Sequence, residues 1–95
     1  MQCTSITYSG HVLLRMFARA VTTAMVEDVI KNGVVIEDYP ADFPYPSCLI
    51  FGHVRTGPLH VVVAQDPANG TCIAVTAYVP DPARWSADFK TRRTP

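Results

Sequence analysis

Cys48-Leu49-Ile50-Phe51-Gly52-His53-Val54, Leu59-His60-Val61-Val62-Val63-Ala64-Gln65-Asp66 and Thr71-Cys72-Ile73-Ala74-Val75-Thr76-Ala77-Tyr78 are three apolar, β-branched runs that follow one another closely. Their separators, Arg55-Thr56-Gly57-Pro58 and Pro67-Ala68-Asn69-Gly70, are short and rich in turn residues, so the runs are expected to pair as an antiparallel meander. Alternation sorts the side chains by face. Leu59, Val61 and Val63 oppose His60, Val62 and Ala64, while Thr71, Ile73, Val75 and Ala77 oppose Cys72, Ala74, Thr76 and Tyr78. The face with the large apolar groups is expected to meet helices. The face with His60, Thr76 and Tyr78 is expected to form an open surface.

Upstream of the meander the period changes. Val34 to Tyr39 reads as a further strand, and Pro40, Pro44 and Pro46 mark a loop that no central strand tolerates. Pro44-Tyr45-Pro46 serves there as a rigid wall or a binding surface. Ser9 is a good N-cap for a helix from Gly10 to about Arg19, whose Leu13, Met16, Phe17 and Ala20 recur at the spacing of a buried face. Thr22 or Thr23 caps a second helix with Met25, Val26, Val29 and Ile30 inward, and Gly33 is expected to end it in the left-handed geometry. Ile6-Thr7-Tyr8 suits a short edge strand. Asp81-Pro82 starts a turn through Trp85, and the chain is expected to fray beyond about residue 89. Helices followed by strands give an α+β domain over residues 1–95: two N-terminal helices packed on an antiparallel sheet of about four strands.

Composition bounds the partners. With 48% hydrophobic residues in 95, one compact core is expected, of modest stability unless a partner or second copy covers apolar surface. Formal charge is zero, yet residues up to Val26 include His11, Arg15 and Arg19 and no acid, and the tail carries Arg84, Lys90, Arg92 and Arg93. These two positive regions can merge on one face and suit a phosphate-bearing partner. Arg92 and Arg93 also suit a merely solubilising end, and Trp85 and Phe89 either fold back over the sheet or meet a partner. Three cysteines without a CxxC pair, and no signal peptide or long apolar run, fit a reducing cytoplasm and argue against disulfides and structural zinc. Cys48 and Cys72 are then read as small hydrophobes.

No P-loop, nucleophile elbow or zinc-helix motif occurs, and the spacing of His11, His53 and His60 matches no common metal ligand set, so neither metal nor cofactor is expected. What remains is a helix stripe of His11, Arg15 and Arg19 with His60 and Tyr78 on strands. Metal-free RNA cleavage needs a base for the ribose 2′-hydroxyl, a cation for the transition-state charge and an acid for the leaving oxygen. Histidine and arginine supply these roles. The same residues also suit a cap, a solvated helix face and a half-buried strand aromatic.

Ser9-Gly10-His11, Arg15-Met16, Arg19, Asn32-Gly33, Val35-Ile36-Glu37 with Tyr39-Pro40, Pro44-Tyr45-Pro46-Ser47-Cys48, Pro58-Leu59-His60-Val61-Val62-Val63, and Tyr78 with Pro80-Asp81-Pro82 form an ordered series over nearly the whole chain. The series resembles a bacterial domain-of-unknown-function family of small proteins associated with the RelE-like toxin superfamily. That resemblance implies a RelE-like fold and a toxin-like, metal-independent endoribonuclease of a toxin-antitoxin pair. It further implies an RNA substrate and a small zinc-binding antitoxin as partner. Carried over by position, His11, Arg15, His60 and Tyr78 are the expected catalytic residues, with Arg19, Arg84 and Arg92 binding substrate. The chain departs from the pattern at Ala20, where a glycine commonly stands, and at Phe43, where a basic residue often does. The alternative function is a non-enzymatic protein-binding module.

Overall fold

Residues 1–94 are described by the computed structural model. Strand β1 (Ser5–Tyr8) leads into helices α1 (Gly10–Ala18) and α2 (Thr23–Asn32), followed by β2 (Val34–Tyr39), β3 (Ser47–Val54), β4 (Gly57–Gln65) and β5 (Thr71–Tyr78). The sheet has five strands in the order β1-β5-β4-β3-β2. β2 to β5 pair antiparallel in sequence, as the turns between the three runs require. The expected sheet of about four antiparallel strands gains β1, which adds in parallel beside β5 and makes the sheet mixed.

Local chemistry starts both helices. The Ser9 and Thr22 hydroxyls each accept a hydrogen bond from a first-turn amide, of Val12 and Met25 respectively, at 3.1 Å. Their C-termini reverse the expected assignment. Gly33 is extended, with φ −79°, and its constraint is space: a Cβ there would lie 2.5 Å from the Val29 carbonyl oxygen and 2.6 Å from that of Phe51. The left-handed residue is Ala20, with φ +56°. Ala20 N–H donates to Phe17 O and Val21 N–H to Met16 O, the Schellman pattern, with Met16 and Val21 buried together. A glycine at position 20 relieves the Cβ crowding that alanine meets there.

α2 lies over β3 and β4, and α1 over β5. Val12, Met16, Val26, Val29 and Ile30 pack against Ile50, Leu59, Val61, Val63 and Ala74. The expectation that Leu13 and Phe17 are buried is corrected: they are 43% and 86% exposed, and Leu14 is 72% exposed. Almost every position of α1 outside its polar strip is apolar, so periodicity alone fits several inward faces. The helix settles on Val12 and Met16.

Two further corrections follow from pairing. The β4–β5 register passes from Val62↔Thr76 to Val63↔Ala74, leaving Val75 unpaired as a bulge. Ala77 therefore joins Cys72 and Ala74 on the helix side instead of facing away from them. Ile6 of β1 pairs beside Cys72, which brings Cys3 close enough to form a disulfide with it, at a Cα separation of 5.6 Å. The expectation of unbonded thiols thus holds only for buried Cys48.

Two outcomes test this account. Ala20→Gly is expected to raise stability by about 0.5–1 kcal/mol, visible as a higher urea midpoint. Reducing the disulfide, which spans 69 residues of sequence, is expected to remove about 2–4 kcal/mol. A melt repeated with and without reductant should show the drop, and the same experiment on Cys3→Ser should show none.

Candidate functional site

α1 carries one polar strip. His11 and Arg15 lie one turn apart, and Arg15 Nε donates to His11 Nε2 at 3.0 Å, both side chains being exposed. That bond leaves Nδ1 of a neutral His11 as its N–H. Arg19 is engaged elsewhere. β1 pairs only with Thr71–Ala74, so the rest of β5 lies past its end. There Arg19 Nη1 donates to Ala77 O at 2.9 Å and to Thr76 Oγ1 at 3.3 Å.

His60 faces the other side of the sheet. Its neighbours Leu59 and Val61 point to the helices, and strand alternation turns His60 away from them. It stands in register with Phe51 on β3 and Tyr78 on β5. This face is not open. The segment after β5 folds across it, and Trp85 stacks edge-on with His60 at a centroid distance of 4.4 Å. Phe89, at φ +61°, presents its carbonyl to His60 Nε2 at 2.7 Å. The carbonyl only accepts, so Nε2 carries the proton and Nδ1 accepts from the Tyr78 hydroxyl at 3.3 Å. His60 is fully buried. Burial holds its pKa below the usual imidazole value, and the nearby Arg92 acts in the same direction, against the Phe89 carbonyl and Glu37.

Among the described residues after Phe89, contacts tie Arg92 and Arg93 to the rest of the domain. Arg92 bridges the segment to the sheet: its Nε donates to Glu37 Oε2 at 3.1 Å, and its guanidinium lies 4.7 Å from the centroid of the Trp85 ring. Arg92 also forms an isolated β-bridge with Trp85, and Arg93 N–H donates to Arg84 O. Burial alone would raise the Glu37 pKa, but hydrogen bonds from Tyr39 and Arg92 outweigh it and hold the carboxyl below its ordinary value.

The sequence-derived residues thus divide into two groups on opposite sides of the sheet. His11 and Arg15 are solvent-facing on α1, with Arg19 bound to the edge of β5. Tyr78, Arg84 and Arg92 border one cleft of about 320 Å³ beside Trp85, with His60 sealed behind Tyr78 and Trp85. A cavity of about 620 Å³ is lined by Cys3, Glu27, Lys31 and their neighbours and contains none of these residues. Among the described residues no group of three or more histidine, cysteine or acidic side chains is placed to hold a metal ion. No described helix is long and apolar enough to cross a membrane.

Sequence reasoning missed the Glu37–Arg92 pair, because the two are 55 residues apart and nothing local links them. It also placed Leu13 and Phe17 on the wrong side of α1. The signal available for that error was the apolar character of Leu14 and Ala18 beside them, which leaves α1 with more apolar surface than one core can cover.

Fold and sites together define a small α+β domain with helices on one face of a mixed sheet and a C-terminal segment on the other. Residues 8–79 match the model of a family described as a domain of unknown function, DUF4258, and the chain belongs to that family. No curated protein and no solved structure matches it.

The buried histidine has a measurable consequence. Its folded-state pKa lies below the unfolded value of about 6.5, so its contribution to stability is present above that pH and is lost as pH falls through the folded value. Urea unfolding at pH 7.5 and 5.5 is expected to show wild-type stability falling with acid, and a smaller fall in His60→Gln.

Proposed function

We propose that this chain is a non-enzymatic protein-binding module, and that α1 is the surface it presents. The observation that carries this reading is the exposure of Leu13, Leu14 and Phe17 on one contiguous side of a nine-residue helix. At about 100° per residue the three sit next to one another, Leu13 flanking the buried Val12–Met16 seam and Leu14 lying across from it. His11 and Arg15 border the patch, and no acid occurs before Glu27. A second copy meeting this surface symmetrically would bring like charges together. The occupant that fits is a protein segment with an apolar stripe and acidic margins.

A second reading is favoured by one observation, the His11–Arg15 hydrogen bond. A phosphate that captured the Arg15 guanidinium would free Nε2 of His11 as a proton acceptor, which is the minimum equipment for attack by a ribose 2′-hydroxyl. It corresponds to the toxin-like endoribonuclease implied by the RelE-like resemblance, and the small zinc-binding antitoxin would then be the occupant of α1. His11 and Arg15 lie on the helix side of the sheet and His60 and Tyr78 on the other, which favours the helix pair acting without the strand pair. In this reading His11 and Arg15 are the catalytic pair, while His60 and Tyr78 hold the C-terminal segment.

Complex formation with the product of the neighbouring gene, followed by size-exclusion chromatography, tests the first reading. Leu14→Glu/Phe17→Glu is expected to abolish the complex while changing stability by no more than about 0.5 kcal/mol per site, since both residues are exposed. A double variant that still forms the complex overturns the assignment of α1. RNA cleavage by the purified protein that falls about 10²–10⁴-fold in His11→Ala establishes the second reading instead.

A further inference from the structure

The segment that covers His60 lies outside the family domain. The matched residues end at Val79, whereas Trp85, Phe89, Lys90 and Arg92, the groups laid on the second sheet face, all follow it. The cover makes no regular secondary structure there beyond the isolated Trp85–Arg92 bridge. Its anchors are side-chain contacts of the kind by which a peptide is recognised. An indole lies edge-on against His60, whose ring is flanked on the same face by those of Phe51 and Tyr78. A guanidinium pairs with Glu37, and an ammonium lies 6.0 Å from the Phe51 ring centroid. One main-chain carbonyl, that of Phe89, meets the buried imidazole in a backbone conformation that side chains other than glycine rarely adopt.

We infer that this sheet face is a peptide-binding site, filled in cis by residues 85–93, whose ligand in trans is an extended segment that presents a tryptophan and, several residues later, an arginine. The floor specifies that chemistry. Phe51, His60 and Tyr78 form an apolar and aromatic socket whose only polar demands are those of one neutral imidazole and one phenol, so it takes a flat apolar ring. Glu37, kept ionised by Tyr39 and Arg92, demands a cation at the β2 end of the face. An acidic peptide or a phosphate-bearing strand would set its charge against Glu37. The Arg92–Glu37 pair is largely solvent-exposed on the arginine side, at 60% of the side chain, so the latch that keeps the cis segment in place is weak enough to exchange. This site is separate from the α1 surface and does not depend on what α1 binds.

The test uses the full-length chain with the socket emptied, Trp85→Ala/Arg92→Ala, and a fluorescein-labelled synthetic peptide of residues 81–94. Fluorescence anisotropy is expected to show saturable binding to the emptied protein and at least tenfold weaker binding to wild type, whose own segment competes. A peptide carrying the same two alanines should bind at least tenfold more weakly, and an emptied protein that also carries Glu37→Gln about two- to fivefold more weakly. Equal binding to wild type and emptied protein overturns the inference, as does no binding to an emptied protein whose far-UV circular dichroism matches wild type. Saturable binding of a labelled oligouridylate in place of the peptide overturns it in favour of a nucleic-acid face. Should the double variant not fold, Arg92→Ala alone decides. The chain has a single tryptophan, so a red shift of its own emission on loss of Arg92, measured before any peptide is added, together with saturable anisotropy of the labelled peptide on that variant, is the expected result. An unshifted emission maximum together with no peptide binding counts against exchange.

Discussion

Burial of β4 on both faces is the constraint on which the rest of the molecule depends. It is the central strand of five, and Leu59, His60, Val61, Val63 and Ala64 are all buried. A strand of that kind needs two cover layers. The helices provide one, through Val26, Val29, Ile30 and Met16. The segment after β5 provides the other, with one tryptophan and a handful of polar contacts. The two layers differ accordingly: the helix side is a continuous apolar core, and the strap side is an aromatic socket around a neutral histidine.

This division assigns the polar residues their work. A histidine in water is an acid-base catalyst in waiting, but His60 has both ring nitrogens occupied, one by a carbonyl and one by a phenol, and its surroundings favour the uncharged form. Its visible role is to join β4, β5 and the strap. Arg19 and Arg92 are similarly committed, to the edge of β5 and to Glu37. Exposed His11 and Arg15 are bonded only to each other, and His11 stands one turn before exposed Leu14 on α1. Binding through α1 accounts for both features at once, whereas catalysis accounts only for the first.

The N-terminal strand completes the frame. Its parallel alignment with β5 covers half of that strand's outer edge, and the disulfide from Cys3 to Cys72 fastens the start of the chain to the last strand. Because the link closes nearly the whole family domain into one covalent loop, its main effect is on the unfolded chain, which loses much of its freedom to expand. The edge beyond β1 is left to Arg19, which satisfies the Ala77 carbonyl with a charged donor and so blunts an otherwise open strand.

The sequence alone specifies the two helices, a cap at Ser9 and another at Thr22 or Thr23, the strand runs and the antiparallel meander, because each rests on contacts between near neighbours: a hydroxyl three residues from its amide, a turn of four residues, an alternation of period two. It also nominated His11 and Arg15, whose one-turn spacing makes them partners in any helix. Which side of α1 is buried was settled in three dimensions: the strip of His11, Arg15 and Arg19 leaves apolar side chains over most of the remaining circumference, and the choice of Val12 and Met16 comes from what β5 offers. The Val75 bulge, the parallel addition of β1 with its disulfide, and the closure of Trp85 and Arg92 over His60 were likewise decided in three dimensions. Each joins residues far apart in the chain, and a one-residue slip in register exchanges one face of a strand for the other.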